Sequence, residues 1–189
     1  MEFHEKGYLV IRDAIDKDLL RILSDYLLIE ARNGSLDDDG ISRFSRYGDS
    51  LTEALLSYCQ PIVERYTGKK VYPSYSYARV YRKGDKLAMH QDRPACEYSL
   101  TIPVSYEAPV LWPLFVMEGK KKVNIPLDIG DLLLYKGCDV PHGRTPFTGS
   151  RWVQVFLHYV DKKGKNAGWK YDKRKWLGQR PAEGIFKVH

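Results

Sequence analysis

The chain has 189 residues, of which 43% are hydrophobic and 13% aromatic, and this composition is typical of one folded globular domain. No apolar run is long enough to form a membrane-spanning helix, and no segment resembles a secretory signal. The three cysteines, Cys59, Cys96 and Cys138, are too scattered for a disulfide framework or a thiolate zinc site. We therefore expect a single cytoplasmic domain with reduced thiols.

The net charge of +6 lies in the C-terminal segment. Residues 161–189 contain nine Lys or Arg and three Asp or Glu, which leaves 21 residues of each sign in residues 1–160. Aromatic residues are interleaved with these lysines, and such a segment can follow a nucleic-acid backbone and stack on bases. The ordinary interpretation of this segment is a tail that packs on the domain through its tryptophans and leaves its lysines in solvent. We expect no membrane partner, and a nucleic-acid partner remains open only through the tail.

Two amphipathic helices are predicted before residue 70. The first begins after an N-cap at Asp16 and runs to about Arg32. The second begins at a capping box formed by Ser50 and Glu53, and we expect Pro61 to kink or divide it.

A polar loop, residues 33–48, connects the two predicted helices. It contains three consecutive aspartates, Asp37 to Asp39. Such a run is typical of a solvated surface loop, with a mobile lid beside a functional site as the alternative. The few apolar residues of the loop predict that it is mobile and becomes ordered when a substrate binds.

Residues 71–161 show a different pattern, with short strands separated by turn signals. The predicted strands are 74–82, 87–92, 97–105, 111–117, 122–126, 131–136, 140–145 and 151–160. Eight short strands without helices between them indicate a mostly β fold, a sandwich or jelly-roll barrel. We therefore divide the chain into an N-terminal strand and helices (1–70), a jelly-roll core (71–161) and a basic C-terminal tail (162–189).

The first half of the stretch 75–92 predicts the wall of a polar cavity. Tyr75, Tyr77, Arg79 and Tyr81 alternate along one strand and so share one face. Three phenols and a guanidinium would pack poorly in a dry core. Tyr77 and Arg79 are equally compatible with a stacked structural pair.

The second half of this stretch supplies two candidate metal ligands. His90 and Asp92 are two residues apart, a spacing that points both side chains to the same side of a strand. His142 follows fifty residues after Asp92. Two histidines and one carboxylate in this arrangement are typical of a site that holds Fe(II) and leaves positions open for substrate and O₂. Catalytic zinc uses the same residue types and stays an alternative.

A candidate carboxylate anchor follows nine residues after His142. Arg151 opens the last predicted strand and shares a face with Val153, Val155 and Leu157. A guanidinium heading an apolar face predicts an anchor for a carboxylate, because arginine binds that group in a bidentate geometry. His158 lies on the opposite face, and we do not assign it to the site.

Three motifs surround these candidate residues. They are Tyr81-x-x-Gly84 before His90-x-Asp92, Gly130-Asp131-Leu-Leu-Leu-Tyr135 before His142, and His142-x3-Pro146-x2-Gly149-x-Arg151. Together they resemble the Fe(II)/2-oxoglutarate-dependent dioxygenases, in particular the prolyl 4-hydroxylase-like branch. The resemblance covers roughly residues 71–161, with the opening strand and both helices also in the expected order.

The resemblance implies a fold, a reaction and roles for individual residues. The fold is a double-stranded β-helix, a cupin-like jelly roll. His90, Asp92 and His142 look like the iron ligands, Arg151 is similar to the residue that binds the distal carboxylate of 2-oxoglutarate, and Tyr81 matches a tyrosine that lines the cosubstrate pocket. Such oxidoreductases consume 2-oxoglutarate and O₂, hydroxylate a C–H bond and release succinate and CO₂, with ascorbate as an optional reductant.

Four further residues are candidates for the surroundings of the site. We expect the small polar face that contains Ser99 and Thr101 to line the pocket. Arg93 and Arg144 flank the ligands and are interpreted as forming salt bridges outside the site, with substrate contact as the alternative.

The resemblance favours a prolyl residue of a peptide or protein as the substrate. A free amino acid or another small metabolite is the first alternative. A nucleic-acid demethylase and a non-catalytic jelly-roll binding protein are further alternatives, and a complete set of three metal ligands disfavours the last.

Overall fold

A computed structural model of the protein describes residues 2–178. Ten strands and three α-helices make up the domain, with two short 3₁₀ helices at Pro94–Cys96 and Ala167–Lys173. In chain order the elements are α1 Glu2–Lys6, β1 Tyr8–Ile11, α2 Lys17–Arg32, β2 Ser45–Tyr47, α3 Ser50–Thr67, β3 Val71–Arg82, β4 Leu87–His90, β5 Tyr98–Glu107, β6 Leu114–Glu118, β7 Lys121–Ile125, β8 Leu132–Tyr135, β9 His142–Arg144 and β10 Arg151–Asp161.

The strands form two antiparallel sheets. The larger has the order β1-β8-β5-β10-β3-β2 and the smaller β4-β9-β6-β7. Neighbours within each sheet are mostly distant in sequence, which is the arrangement of a jelly roll. The prediction of a mostly β fold is confirmed, and each of the eight predicted strands has a counterpart within a few residues.

The helices α2 and α3 cover the outer face of the larger sheet. Their buried residues, including Leu20, Leu27 and Leu56, belong to one hydrophobic cluster with alternate residues of β5 and β10. The strand residues in this cluster are Leu100, Ile102, Val104, Val153, Val155, Leu157 and Tyr159. The apolar face of β10 therefore packs under the helices, and its other face points towards the smaller sheet.

The N-caps of the two long helices are both aspartates. Asp16 accepts hydrogen bonds from the backbone of Asp18 and Leu19, as predicted. The second helix is capped by Asp49, which accepts from the amides of Leu51 and Thr52. The predicted capping box at Ser50 is therefore wrong.

Glu53, the second member of that predicted box, has different partners. It is buried and binds the Arg174 guanidinium and the amide of Gly178, so it holds the C-terminal segment instead of the start of its own helix. The helix α3 continues through Pro61 to Thr67 without division.

The loop 33–48 packs against the domain more closely than predicted. Leu36, Ser42 and Ser45 are buried, and the end of the loop forms β2, which pairs with β3. Asp39 points inwards and forms an ion pair with Arg79 at 2.6 Å. The predicted mobility of this loop remains a prediction.

The described part of the basic tail, residues 162–178, is docked on the domain. Lys162 and Lys170 each lie 5.0 Å from the ring centroid of Tyr72, and Asp172 forms an ion pair with Arg93. Residues 179–189 of the predicted tail lie outside the described residues. None of the helices described in residues 2–178 combines the length and apolar character that crossing a bilayer requires.

The cap assignment predicts a difference in stability between two neighbouring substitutions. Asp49 is buried and also accepts a hydrogen bond from Tyr26 Oη at 2.5 Å, whereas Ser50 is exposed. Asp49→Ala should lower the free energy of unfolding by about 2 kcal/mol, since a cap and a buried hydrogen bond are each worth about 1 kcal/mol. Ser50→Ala should change it by less than about 0.5 kcal/mol. Urea unfolding measures both, and equal losses would contradict the assignment.

Candidate metal centre

A cavity of about 820 Å³ lies between the two sheets and holds the predicted ligands. This volume is within the usual range for small-molecule sites. The lining residues are Asp39, Gly40, Ile41, Tyr75, Tyr77, Arg79, Gly84, Asp85, Lys86, Leu87, Ala88, His90, Asp92, Tyr135, His142, Phe156 and His158.

The pairing of β4 with β9 brings the three candidate ligands together. His90 ends β4 and lies directly opposite His142, the first residue of β9, and Asp92 follows two residues after His90. Asp92 Oδ1 lies 3.4 Å from His90 Nε2 and 3.7 Å from His142 Nε2. One potential ligand atom from each residue lies within 4.8 Å of the others. A single cation can therefore contact all three.

Backbone contacts orient both imidazoles towards this point. His90 Nδ1 lies 2.9 Å from the Ala88 carbonyl, and His142 Nδ1 lies 2.9 Å from the Val140 carbonyl. A carbonyl only accepts, so each Nδ1 carries the proton and each Nε2 presents a lone pair. This is the tautomer that metal-binding histidines use, and the donor set therefore fits a divalent cation.

Ser99 and Gly137 position the Asp92 carboxylate. Ser99 Oγ donates to Asp92 Oδ2 at 3.3 Å, and the Asp92 amide donates to the Gly137 carbonyl at 2.9 Å. A Cβ at position 137 would collide with Asp92 Oδ2 and with the Cys96 carbonyl. Glycine is therefore required there for close approach of the carboxylate.

The electrostatics of the site favour the metal-binding state of Asp92 and His142, whereas the hydrogen bond with Asp92 raises the pKa of His90 and favours its protonated form. Burial raises the pKa of Asp92, but the hydrogen bond with His90 and the charges of the nearby histidines outweigh it, and the pKa lies below its ordinary value. Burial lowers the pKa of His142. A carboxylate and a neutral imidazole are the forms that bind a metal cation.

A second group, Asp92, Cys96 and His158, also has its ligand atoms within 4.8 Å of one another. Burial raises the pKa of the Cys96 thiol, which keeps it protonated, whereas a metal binds the thiolate. Burial also lowers the pKa of His158 to about 4, so its ring is neutral. Since the first group needs no such deprotonation, it fits a cation better.

His158 was left out of the sequence prediction, although it lines the cavity. Its Nδ1 lies 2.9 Å from Ser99 Oγ, the hydroxyl that holds Asp92. The face of β10 that carries His158 also carries Gln154, and polar residues on that face were a usable signal that it borders a polar cavity. The sequence prediction placed the other face of β10, which carries Arg151, at the site.

Arg151 lies on that other face. The structure does not bring it to the cavity: its guanidinium forms an ion pair with Glu107 at 2.7 Å. The reason is the alternation of β10, because Val153 and Val155 pack under the helices and place Arg151 on the same side.

Arg144 is buried between the sheets, behind the residues that line the cavity, instead of forming the predicted salt bridge. Its guanidinium donates to the Trp112 carbonyl at 2.5 Å and to Gln154 Oε1 at 3.2 Å, and its Nε has no hydrogen-bond partner. Among the described residues no carboxylate neutralises it. Burial lowers its pKa to about 10, so it remains a cation at neutral pH.

Tyr81 lies behind the cavity wall. It is fully buried, its ring meets Trp112 edge-on, and its hydroxyl accepts from Arg79 Nη1 at 3.3 Å. Tyr77 and Arg79 both line the cavity, and the Arg79 guanidinium lies 5.0 Å from the Tyr77 ring centroid. The two residues therefore form a stacked pair and are part of the cavity wall at the same time.

The remaining candidates lie around the cavity without lining it. Thr101 Oγ1 accepts from Gln154 Nε2 at 2.6 Å. Arg93 forms a double hydrogen bond with Asp172 at 2.7 and 2.8 Å and lies 4.5 Å from the ring centroid of Tyr75. The interpretation of Arg93 as a salt-bridge residue agrees with these contacts.

Metal binding should distinguish the two ligand groups. In a calorimetric titration with Ni²⁺, we expect His142→Ala to lose more affinity than the roughly 10–100-fold typical of a change outside the ligands. Cys96→Ala should bind nearly as tightly as the wild type, and exposed His4→Ala serves as the matched histidine control. Loss of binding in Cys96→Ala with retention in His142→Ala would assign the metal to the second group.

The sequence matches no family model and no curated protein, whereas many solved structures match the fold. A Pseudomonas putida prolyl-4-hydroxylase superposes with a TM-score of 0.67 at 13% identity, over 85% of this chain and 95% of that chain. An oxidoreductase of the 2OG-Fe(II) oxygenase family from Burkholderia pseudomallei superposes with a TM-score of 0.68 at 17% identity, over 87% of this chain and 89% of that chain. HygX from Streptomyces hygroscopicus, with nickel and 2-oxoglutarate bound, superposes with a TM-score of 0.66 at 13% identity, over 86% of this chain and 85% of that chain. The chain therefore has the fold of the 2-oxoglutarate/Fe(II) oxygenases, prolyl 4-hydroxylases among them.

Proposed function

We propose that the protein is an Fe(II)/2-oxoglutarate-dependent dioxygenase that hydroxylates a C–H bond and releases succinate and CO₂. The observation that carries this proposal is the convergence of His90, Asp92 and His142 at one point of the cavity. Three ligands on one side leave the other coordination positions of the metal open to the cavity, as an oxygenase requires. Two solved structures of the same fold support the proposal: one is a member of the 2OG-Fe(II) oxygenase family and the other has nickel and 2-oxoglutarate bound.

In this proposal His90 and His142 hold the metal through Nε2, and Asp92 holds it through Oδ1. Fe(II) bound there supplies the coupling of O₂ activation to the decarboxylation of 2-oxoglutarate. The protein keeps the ligands in place: the Tyr135 ring packs edge-on against His142 at 4.7 Å between centroids, and Ser99 holds the carboxylate. Catalytic zinc uses the same ligand types, and iron is proposed because solved structures of the same fold include a member of the 2OG-Fe(II) oxygenase family.

We assign the distal carboxylate of 2-oxoglutarate to Arg144 in place of Arg151. A buried cation without a counter-ion is destabilising by several kcal/mol, and a ligand carboxylate removes this penalty. Arg144 follows His142 by two residues on one strand, so both side chains point towards the space between the sheets. The Nε atoms of both arginines have no partner, but Arg144 has only neutral acceptors whereas Arg151 is paired with Glu107.

A turnover assay tests the activity and this assignment together. The wild type should convert 2-oxoglutarate to succinate only with Fe(II), with ascorbate present as the reductant. Charge-assisted hydrogen bonds are worth about 1.5–3 kcal/mol, so Arg144→Gln should raise the KM for 2-oxoglutarate roughly 10- to 100-fold. Arg151→Gln is the matched control and should change it less than about 3-fold.

Two results would contradict the account. If the wild type forms no succinate with Fe(II), the proposed activity is wrong. If Arg151→Gln raises the KM and Arg144→Gln does not, the original sequence assignment of the anchor is correct and ours is wrong.

A prolyl residue in a peptide remains the substrate that the sequence resemblance favours. Tyr75 and Tyr77 line the cavity and offer flat amphipathic surfaces that suit a pyrrolidine ring. A free amino acid or other small molecule is the alternative, and the observation that favours it is the Asp39–Arg79 ion pair, which holds the loop 33–48 against the cavity wall.

Mass spectrometry of proline-containing peptides tests the prolyl substrate. Incubation with enzyme, Fe(II), 2-oxoglutarate and ascorbate should add one oxygen to proline if the peptide is the substrate. Stimulation of succinate release by a free metabolite alone would favour the small-molecule alternative. Retention on a polyanion column that is lost when residues 162–189 are removed would favour a nucleic acid.

A further inference from the structure

Arg79 is a largely buried cationic side chain on the wall of the metal-site cavity, and it has no role in the proposed reaction. Its side chain is 15% exposed and lines the same cavity as His90, Asp92 and His142. Lys86, the other lysine or arginine of the cavity lining, is exposed. Arg79 therefore faces the space in which a substrate must lie.

The Arg79 guanidinium has free donors. It has five N–H groups, of which Nε–H donates to Asp39 Oδ2 at 2.6 Å and one Nη1–H donates to Tyr81 Oη at 3.3 Å. The remaining donors have no hydrogen-bond partner among residues 2–178. The rings of Tyr77 and Phe156 lie 5.0 and 5.7 Å from the guanidinium carbon and fix its plane. A preoriented fork of this kind matches a carboxylate.

Asp39 has no acceptor position left to bind a cationic group of a ligand. Its Oδ1 accepts from the amides of Ile41 and Ser42, and its Oδ2 accepts from Arg79 and from Tyr77 Oη. These four bonds fill the acceptor positions of a carboxylate. In the Asp39–Arg79 pair, only the arginine therefore has hydrogen-bonding groups left for a ligand. Since these groups are donors, this part of the cavity selects a ligand group that accepts hydrogen bonds.

From these contacts we infer that Arg79 binds a carboxylate of the substrate. The substrate is then a small carboxylic acid and not an internal residue of a peptide. This inference rests on the proposed function. The apolar surfaces of Phe156 and Ile41 beside Arg79 would contact the body of the acid. Asp39 neutralises Arg79 while the cavity is empty, so that the buried charge is never without a partner.

The test follows the Arg79 side chain directly and needs no knowledge of the natural substrate. Protein labelled with ¹⁵N is saturated with Zn²⁺ and 2-oxoglutarate and titrated with cyclopentanecarboxylate, then in a separate sample with cyclopentanecarboxamide. The Nε–Hε resonance of Arg79 is assigned by its loss in Arg79→Gln. We expect a saturable shift with the acid and about 10-fold weaker binding, or none, with the neutral amide.

Two variants give opposite expected effects. Asp39→Asn removes the negative charge beside Arg79 and should tighten binding of the acid several-fold, whereas Arg79→Gln should abolish it. Arg82→Gln is the matched control, because Arg82 is an exposed arginine of the same strand outside the cavity lining, and it should bind the acid as the wild type does.

Three results would overturn the inference. Equal shifts with the acid and the amide, or no shift with the acid, would show that the site does not select a carboxylate. A shift of Arg79 with 2-oxoglutarate alone that prevents any effect of the acid would make Arg79 the cosubstrate anchor. The proposed function fails separately, if the wild type forms no succinate with Fe(II).

Discussion

Strand β10 is buried on both faces, and this constraint separates the hydrophobic core from the cavity. Since its residues Val153, Val155 and Leu157 pack under the helices, the residues between them must face the smaller sheet. Phe156 and His158 are thereby placed in the cavity lining. The same strand pairs with β3 and β5, and so it aligns the wall that carries Arg79 with the strand that carries Ser99. A shift of one residue in the pairing register of β10 would turn its core residues towards the cavity and its cavity residues towards the core.

The strands and the candidate ligands were accessible from the sequence because their signals are local. Alternation with a period of two marks a strand, and the spacing of His90-x-Asp92 keeps two ligands close together. The strand β4 ends at His90, however, and Asp92 is positioned by its contacts with Gly137 and Ser99. The inward face of β10 has a weaker local signal, the polar residues Gln154 and His158, and which face points inwards depends on where α2 and α3 pack. Arg151 was consequently assigned to the cavity and His158 was not. Asp49 and Ser50 are both good N-caps, and composition alone does not decide between neighbours.

The cavity and the space behind it contain two guanidinium groups in different electrostatic states. Arg144 is fully buried and has only neutral acceptors, whereas Arg79 is neutralised by Asp39 and retains free donors. The first arrangement suits the carboxylate of a cosubstrate, because a buried charge needs a partner of opposite sign. The second suits a substrate carboxylate, because Arg79 stays paired with Asp39 and still has donors to offer.

Anomalous scattering from crystals grown with Ni²⁺ and 2-oxoglutarate would show whether one metal ion binds to His90, Asp92 and His142. We expect one metal peak at about 2.1 Å from both Nε2 atoms and from a carboxylate oxygen of Asp92, with the other coordination positions of the metal open to the cavity. A metal peak bound by Cys96 and His158, or the absence of a peak at the three predicted ligands, would contradict this expectation.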